Sequence, residues 1–416
     1  MLASSVIRDA RRAGIGTDAI TAVGSVRRFA PEIADVALLG VAPVSRHKQV
    51  LKAFTRLPIV LEVNAESPSS VTAATARGPI TLHLTPPEQA GAALVWHTGA
   101  RAHVTQLQTR AGRLGLHFAG GVVSRATGAA VSCVSEEDLY SKLELPFIAP
   151  ELRSGDSEID AAERGELPHL VSDAHIRGDL HTHSTWSDGR NPIADMVSAA
   201  KQLGYQYLAI TDHSERALSS RSLAVGDVSK QRDEIEALRA RVRGIDILHG
   251  VEVDIMPDGS LDFDDAVLEA FDIVLASLHD AGGDDEARLT ERYLRAIRHP
   301  LVNVITHPTN RAPGRSSGYA LDFDRLFAAA AETGTAMEVD GAPGHLDMDG
   351  DVARRAAAAG VTIVIDSDCH RMEALGRQMQ FGVGTARRGW IEPHHVLNTR
   401  PVSDVRAFVA RKRTRG

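Results

Sequence analysis

From residue 178 onward, short runs of apolar and largely β-branched residues alternate with stretches of helical periodicity. The runs are GDLHTH (178–183), YLAITDH (207–213), DILHGVEVD (246–254), DIVLASLH (272–279), VNVITH (302–307), AMEVD (336–340) and VTIVIDSDCH (361–370). Between most of them lie helical segments such as DEARLTERYLRAIRH, DFDRLFAAAAETG and GDVARRAAAAG. In NPIADMVSAAKQLG the caps are legible too, with Asn191 as N-cap, Pro192 at the first helical position and Gly204 as C-cap. A strand that is apolar throughout is buried on both faces, which is the condition of a parallel sheet covered by helices. Seven such units predict an α/β domain whose sheet closes into a barrel.

Upstream the pattern changes. Residues 1–150 show short strands and helices without the repeating unit, which predicts a separate α+β region. Its first residues, MLASSVIRDARRAGIG, read as a short amphipathic helix rather than the apolar core of a secretory signal. The stretch SGDSEIDAAERGELPHLVSD (154–173) is polar, carries Gly and Pro and holds no sustained period, so it predicts a linker.

The polar residues interrupt the apolar runs in one place. Six of the seven runs reach a His, Asp or Glu that could bind metal at or just past their C-terminal end, and in a parallel barrel those ends converge on one mouth. His181 and His183 are two apart on a strand and therefore share a face. A single buried histidine is ordinarily a cap or a hydrogen-bonded core residue. The joint set is different: His181, His183, Asp188, His213, Glu252, His279, His307, Asp368 and His370 all fall at strand ends of one predicted barrel. Left uncompensated, so many buried polar groups would cost several kcal/mol each. Metal ions are the natural compensation, and mixed imidazole and carboxylate donors suit Zn, Mn or Fe rather than Ca.

Charge and composition refine this. The net charge is −8, and because Lys plus Arg balance Asp plus Glu over residues 1–170, the whole excess lies in the barrel half. That argues against a broad non-specific DNA-binding surface there, although bound cations would offset part of it. The basic tail RKRTR (411–415) reads as a solvated helix end. Two cysteines are too few for a disulfide framework, and no apolar run approaches the roughly 18 residues of a membrane span. A cytoplasmic protein with no membrane partner is expected.

DLHTHSTWSDG, ITDHS, GVEVDI, SLH, THPTNR and SDCH, taken in order, resemble the PHP (polymerase and histidinol phosphatase) superfamily of metal-dependent phosphoesterases over essentially all of residues 176–395. The resemblance implies a distorted (β/α)7 barrel holding three divalent metals. It places His181, His183, Glu252 and Asp368 on the first, Glu252 again with His279 and His307 on the second, and Asp188, His213 and His370 on the third. Arg311, just past His307, is a candidate bidentate phosphate contact. The residue before it is Asn310, where the family usually has Gly. Asp212 and Asp366, adjacent to ligand positions, are candidates for orienting the imidazoles.

Within the superfamily the sequence is most similar to the PHP-containing bacterial family X DNA polymerases. The junction LYSKLELPFIAPELRSGDSEIDAAERGELPHLV and the ending FGVGTARRGWIEPHHVLN (381–398) carry this likeness, with VGSVRR (23–28) and WHTGARAH (96–103) resembling polymerase palm elements. The implied division is a palm-like domain at 1–100, a thumb-like subdomain at 101–153, a linker at 154–176 and the PHP barrel at 177–416. Two departures matter. Three palm carboxylates normally hold two Mg²⁺ ions, but here Asp35 is followed by Val36 and Ala37, and Thr81 stands where the third acid is expected. The sequence also starts at the palm, without the family's lyase region and most of its fingers. Polymerase activity is expected to be absent. Gly24, Ser25 and Arg28 are candidate relic phosphate binders, the alternative being a fold kept as rigid support.

Three functions follow from these expectations. The first is a metal-dependent hydrolase of phosphate esters at nucleic-acid or nucleotide 3′ ends (an exonuclease or 3′-phosphatase of DNA repair). The second is a small-molecule phosphatase of the histidinol-phosphatase type. The third is a non-catalytic scaffold that binds DNA ends. Oligomeric state is not legible.

Overall fold

A computed structural model describes residues 2–17, 19–33, 35–217 and 221–415, with the side chain of Arg415, part of the RKRTR tail, outside the described set. The chain divides into two compact units after Leu167.

The first unit is built on a five-stranded mixed sheet in the order β1-β2-β5-β4-β3. Its strands are β1 (Ala19–Val23), β2 (Val36–Val41), β3 (Glu62–Ser67), β4 (Ser70–Thr75) and β5 (Gly78–Thr85). Only β2 and β5 run parallel. Alternation along β5 buries Ile80, Leu82 and Leu84 on one face, against Ala3, Val6 and Ala10 of the helix Leu2–Ala13 and Val50, Leu51 and Phe54 of the helix His47–Phe54. The expected amphipathic first helix is therefore present, docked by residues at helical spacing. The opposite face, with Val23 and Leu39, meets Ala93 of the helix Ala90–Thr98. The helix Arg101–Arg113, the hairpin β6 (Leu116–Ala119) and β7 (Val122–Arg125), and the helix Glu136–Lys142 follow.

The segment read as a linker holds more structure than its polarity suggests. A helix spans Glu158–Arg164, and buried Glu158 accepts from His103 at 2.6 Å while His103 Nε2 lies 2.9 Å from the Tyr140 hydroxyl. Buried Arg153 joins Glu136 at 2.5 Å, and Arg27 binds the same carboxylate. Paired charges, not apolar periodicity, hold this stretch, which is why the pattern missed it.

The second unit bears out the seven-strand expectation. Strands β8 (Gly178–Asp179), β9 (Tyr207–Ile210), β10 (Asp246–Asp254), β11 (Ile273–Ser277), β12 (Val304–Ile305), β13 (Ala336–Asp340) and β14 (Ile363–Asp366) pair in sequence order, all parallel. The sheet nearly closes on itself: Thr182 bridges Cys369 just past β8 and β14, with the His183 N–H donating to the Cys369 carbonyl at 3.0 Å. At the other end of this seam, Asn398 Nδ2 donates to the Gly178 carbonyl at 3.0 Å and its Oδ1 accepts from the Ile365 N–H at 3.1 Å.

Alternation sorts the strand side chains into two cores. Tyr207, Ala209, Leu248, Ile273, Leu275, Val304, Ala336 and Val364 pack inward with Val405, Phe408 and Val409 of the C-terminal helix Val402–Arg415, which closes the barrel floor. Leu208, Ile210, Val274 and Ile365 point outward to the surrounding helices. Two local expectations are corrected. Pro192, not Asn191, caps the helix Ile193–Gln202; Asn191 Oδ1 instead accepts from the Met372 N–H at 3.1 Å, while Gly204 takes the left-handed turn past the end at φ 83°. The basic tail is only partly solvated, because Lys412 is buried and donates at 2.6 Å to both the Ile297 carbonyl and Thr335 Oγ1.

Candidate metal centre

The inward alternation of the barrel continues past the strand ends. Following Tyr207 and Ala209 it reaches His213; following Leu248, Glu252; following Ile273 and Leu275, His279; following Val364, Asp368. These side chains therefore meet above the apolar plug, together with His181 and His183 from the turn after β8. His307 and Asp368 reach the mouth from left-handed backbone, φ 25° and 46°, a conformation that costs energy in non-glycine residues and concentrates at functional sites.

All nine predicted residues converge. His183 Nε2 lies 3.1 Å from His181 Nε2 and 3.0 Å from Asp368 Oδ1, and Glu252 Oε2 stands 3.4 Å from His181 Nε2. The other oxygen of the same carboxylate, Glu252 Oε1, is 2.8 Å from His307 Nε2 and 3.8 Å from His279 Nε2. Asp188 Oδ1 is 3.1 Å from His370 Nε2 and 3.6 Å from His213 Nε2. Three overlapping groups capable of holding a cation result: His181, His183 and Asp368; His183, Asp188, His213 and His370; and His213, Glu252 and His279, with His183 and His213 each shared by two. His181, His183 and Glu252 are buried, whereas the side chains of Asp188, His279 and His370 keep 19%, 19% and 32% exposure, so the mouth opens on their side.

The chemistry of this donor set fits divalent cations. Glu252 Oε2 and Asp188 Oδ1 are buried acceptors with no hydrogen-bond donor. His213 Nδ1 stands 2.7 Å from Glu252 Oε2 yet the two are not aligned for a hydrogen bond, and both are left unpaired. Lone pairs converging at this distance without donors between them are what cations satisfy.

Electrostatics agree. Burial and the nearby His370 and His213 rings bring His183 down to about 3, so it stays a neutral donor. Burial pushes the carboxyls up, but His213 and His181 outweigh it at Glu252, and His181 and His370 at Asp368, holding both well below the usual carboxylate range. At Asp188 burial is likewise outweighed, chiefly by the His370 imidazole 3.1 Å away, and the group sits at about 2. Burial lowers His181, His213, His307 and His370, yet Glu338 and Glu252 raise His181, Glu252 raises His213, Glu252 raises His307 to about 9, and Asp368 with Asp188 raises His370 to about 9. Cation binding to such ligands must displace protons.

The orienting residues differ from those expected. Asp212 touches no imidazole. It accepts from Ser184 N at 2.7 Å, Ser184 Oγ at 2.6 Å, Ser187 N at 3.1 Å and Ser187 Oγ at 2.5 Å, shaping the loop that carries His183 and Asp188. Asp366 accepts from Leu180 N at 2.7 Å across the seam, beside Asp179, and burial with the Asp179 charge pushes it up. The imidazole-orienting group is Glu338: Oε1 lies 2.7 Å from His181 Nδ1 and Oε2 accepts the His307 N–H at 2.8 Å. Its place in the inward alternation after Ala336 was the available signal. His345 was also missed; its ring stacks on His307 at 5.2 Å. Arg311 pairs with Asp349 at 3.4 Å at the rim, and Asn310 takes the left-handed turn of the usual glycine, φ 45°, its amide donating to the Tyr319 hydroxyl at 2.8 Å.

In the first unit, Ala37 and Thr81 stand opposite each other in the β2–β5 register, and Thr81 Oγ1 is bonded to Thr72 Oγ1 at 2.9 Å. Gly24 is left-handed at φ 67°, with Ser25 next to it at the start of a short helix, and Arg28 donates to the Thr98 carbonyl.

Fold and mouth together define a metal-dependent phosphoesterase class, and residues 179–338 match the family described as the PHP domain. Residues 93–154 match the DNA polymerase beta thumb. The chain is 36% identical over 392 residues to the DNA polymerase/3'-5' exonuclease PolX of Bacillus subtilis (strain 168), covering 93% of this chain and 68% of that protein. Two proteins named "Probable phosphatase" match about half of the chain. One, from Thermoanaerobacter sp. (strain X514), is 30% identical over 56% of this chain and 95% of its own length; the other, from Shewanella oneidensis, is 32% identical over 48% and 78%. The chain belongs to the PHP-containing bacterial family X DNA polymerases.

Proposed function

We propose that the barrel mouth holds three divalent cations, Zn, Mn or Fe, and hydrolyses phosphate esters at nucleotide or nucleic-acid 3′ ends. The observation that carries this reading is Glu252, whose two oxygens face different imidazole groups, the position of a carboxylate shared by neighbouring ions. His181, His183, Glu252 and Asp368 would hold one ion, Glu252, His279 and His307 a second, and Asp188, His213 and His370 the third. Bound there, divalent ions make hydroxide available near neutral pH and offset phosphoryl charge.

The chain's own residues do the rest. Glu338 keeps the His181 Nε2 lone pair turned inward by holding Nδ1. Asp212 fixes the loop of His183 and Asp188, the more exposed ligands leave the approach open, and Arg311 on the rim supplies guanidinium N–H groups for a phosphate oxygen.

We assign residues 1–100 to a palm-like part, 101–153 to a thumb-like part and 177–416 to the barrel. The thumb match and the division after Leu167 support this, with the ordered 154–167 segment going to the first unit. Extension of a DNA strand is not expected, since a hydroxyl and a methyl group face each other where two palm carboxylates would stand. The relative with an exonuclease name favours a nucleic-acid 3′ end. The relatives named as probable phosphatases favour a second reading, a small-molecule phosphatase.

The test is hydrolysis, with Mn²⁺, of a 3′-phosphorylated oligonucleotide, a 3′-hydroxyl oligonucleotide, histidinol phosphate and an aryl phosphate, by the parent and by His181→Ala. Preference for the oligonucleotides with a steep salt dependence supports the first reading, and preference for histidinol phosphate the second. Activity that survives His181→Ala unchanged refutes both, and absence of hydrolysis on every substrate returns the protein to a non-catalytic role.

A further inference from the structure

The nine mouth residues leave unexplained a cluster of guanidiniums near the other end of the barrel. A cavity of about 400 Å³ lies beside the N-terminal end of β11 and the early part of β10, against the C-terminal helix. Arg232, Arg239, Arg406 and Arg413 line it, facing Glu236, Glu269 and Asp272. Arg239 is consumed locally: it binds Asp272, reaches Glu236 at 2.6 Å and donates to the Ile247 carbonyl at 2.8 and 2.6 Å. Asp272 is consumed as well, since it also accepts the His249 N–H at 2.9 Å.

The other cations are poorly matched. Among the described residues neither Arg232 nor Arg413 has a carboxylate partner. Arg413 donates from Nη2 to the Phe271 carbonyl at 2.6 Å, while its Nε is buried without an acceptor. Arg406 has one exposed contact, 3.5 Å from Asp246. A buried guanidinium N–H without a partner is rare in folded proteins and leaves a donor free for a bound acceptor. Arg239 already ties the strands to the helix Val228–Arg241 without the Arg413 guanidinium.

The same cavity is connected to the mouth. Arg232 Nε donates to His249 Nδ1 at 3.4 Å, His249 Nε2 lies 2.9 Å from Gln231 Oε1, and Gln231 Nε2 donates to Asp212 Oδ2 at 2.7 Å. Asp212 is the acceptor that shapes the His183–Asp188 loop. Burial and the Arg232 charge bring His249 down to about 4, so it passes a neutral hydrogen bond along this chain.

We propose that Arg232, Arg406 and Arg413 form a second anion site for a phosphate monoester group, and that its occupancy is transmitted through His249, Gln231 and Asp212 to the metal mouth. The binding half stands on the cavity alone; the coupling half rests on the mouth being a metal centre.

Inorganic phosphate titrated into the whole Mn²⁺-loaded protein tests the binding half. The Arg232→Gln/Arg413→Gln double variant should weaken one class of phosphate sites about tenfold or more, while His181→Ala leaves that class in place. Arg413→Lys guards against misfolding and should bind with intermediate strength. Phosphate binding unchanged in the double variant overturns the site. Repeating the titration with AMP and with a 5′-phosphorylated oligonucleotide tells a free nucleotide from a strand end. For the coupling half, Mn²⁺ affinity is measured by chelator competition. Phosphate should shift it about fivefold or more beyond any shift that survives in the double variant. Gln231→Met should keep phosphate binding and lose that extra shift. An equal shift in parent and double variant overturns the coupling, and Mn²⁺ that never binds the mouth of the parent overturns the metal reading instead.

Discussion

Glu338 offers the sharpest test of how the mouth is held. Its two oxygens serve different ligands, one oriented on the His181 ring and one on the His307 backbone. In Glu338→Gln the volume is kept, but the new amide N–H must face one of two donors, so one buried donor loses its acceptor. That costs about 1–3 kcal/mol. In the proposed assignment His181 would hold the first cation and His307 the second, so the loss falls on one of these two. Removing such an orienting partner typically weakens metal binding about 10–100-fold, or about 1.4–2.8 kcal/mol. The two ranges agree, which is expected if orientation is the whole of its role. The assay is competition of each variant against a chromophoric chelator, with metal content counted after dialysis. Thermal unfolding measured with and without metal separates a stability loss from an affinity loss. The group Asp188, His213 and His370 does not touch Glu338 and should retain its ion. Unchanged affinity throughout, or equal weakening at all three groups, would show that the imidazoles are fixed by packing instead.

Further predictions follow from the same contacts. Asp212→Asn exchanges an acceptor of four serine donors for an amide, so cation binding at the Asp188 group should fall about tenfold; no change by chelator competition would sink the loop argument. Asn398→Ala removes the hydrogen bonds that close the seam between β8 and β14 and should cost about 2–4 kcal/mol, read from denaturant midpoints, with a loss under about 1 kcal/mol counting against it. Burial and the His83 ring hold His97 at about 3 in the folded state, below its ordinary value of 6.5. Its stability contribution is therefore complete above pH 6.5 and is lost as pH falls toward 3, because the unfolded chain then binds the extra proton. The loss amounts to about 2 kcal/mol at pH 5, so the fall in stability between pH 7.5 and 5, read from urea midpoints, should be smaller by that amount in His97→Phe than in the parent.

The mouth was readable because its logic is local along each strand. Period two sends His213, Glu252, His279 and Asp368 inward with the apolar residues before them, so strand position alone gathered most of the site. The misreadings come from contacts across strands. Asp212 sits beside a ligand in sequence but on the opposite side of the strand, where it meets Ser184, Ser187 and Gln231. Asp366 points inward one level below the ligands and meets Asp179 at the closure of the sheet. Glu338 shares the inward alternation but gained its meaning only when β13 was placed near His181, far away in the chain.

Two other segments make the same point. Lys412 lies in a run of five residues rich in charge, yet the barrel floor captures its ammonium with a carbonyl and a hydroxyl. The 154–173 stretch lacks a hydrophobic period because its order rests on Glu158 with His103, next to the Arg153–Glu136 pair that precedes it. By itself, then, the sequence determined which residues are strand, which face inward and which chemistry collects at their ends, since each depends on neighbours one or two positions away. Closure of the seven strands decided which inward groups touch, which carboxylates orient rather than bind, and where unmatched arginines come together, because those contacts are set by the register and curvature of the whole sheet.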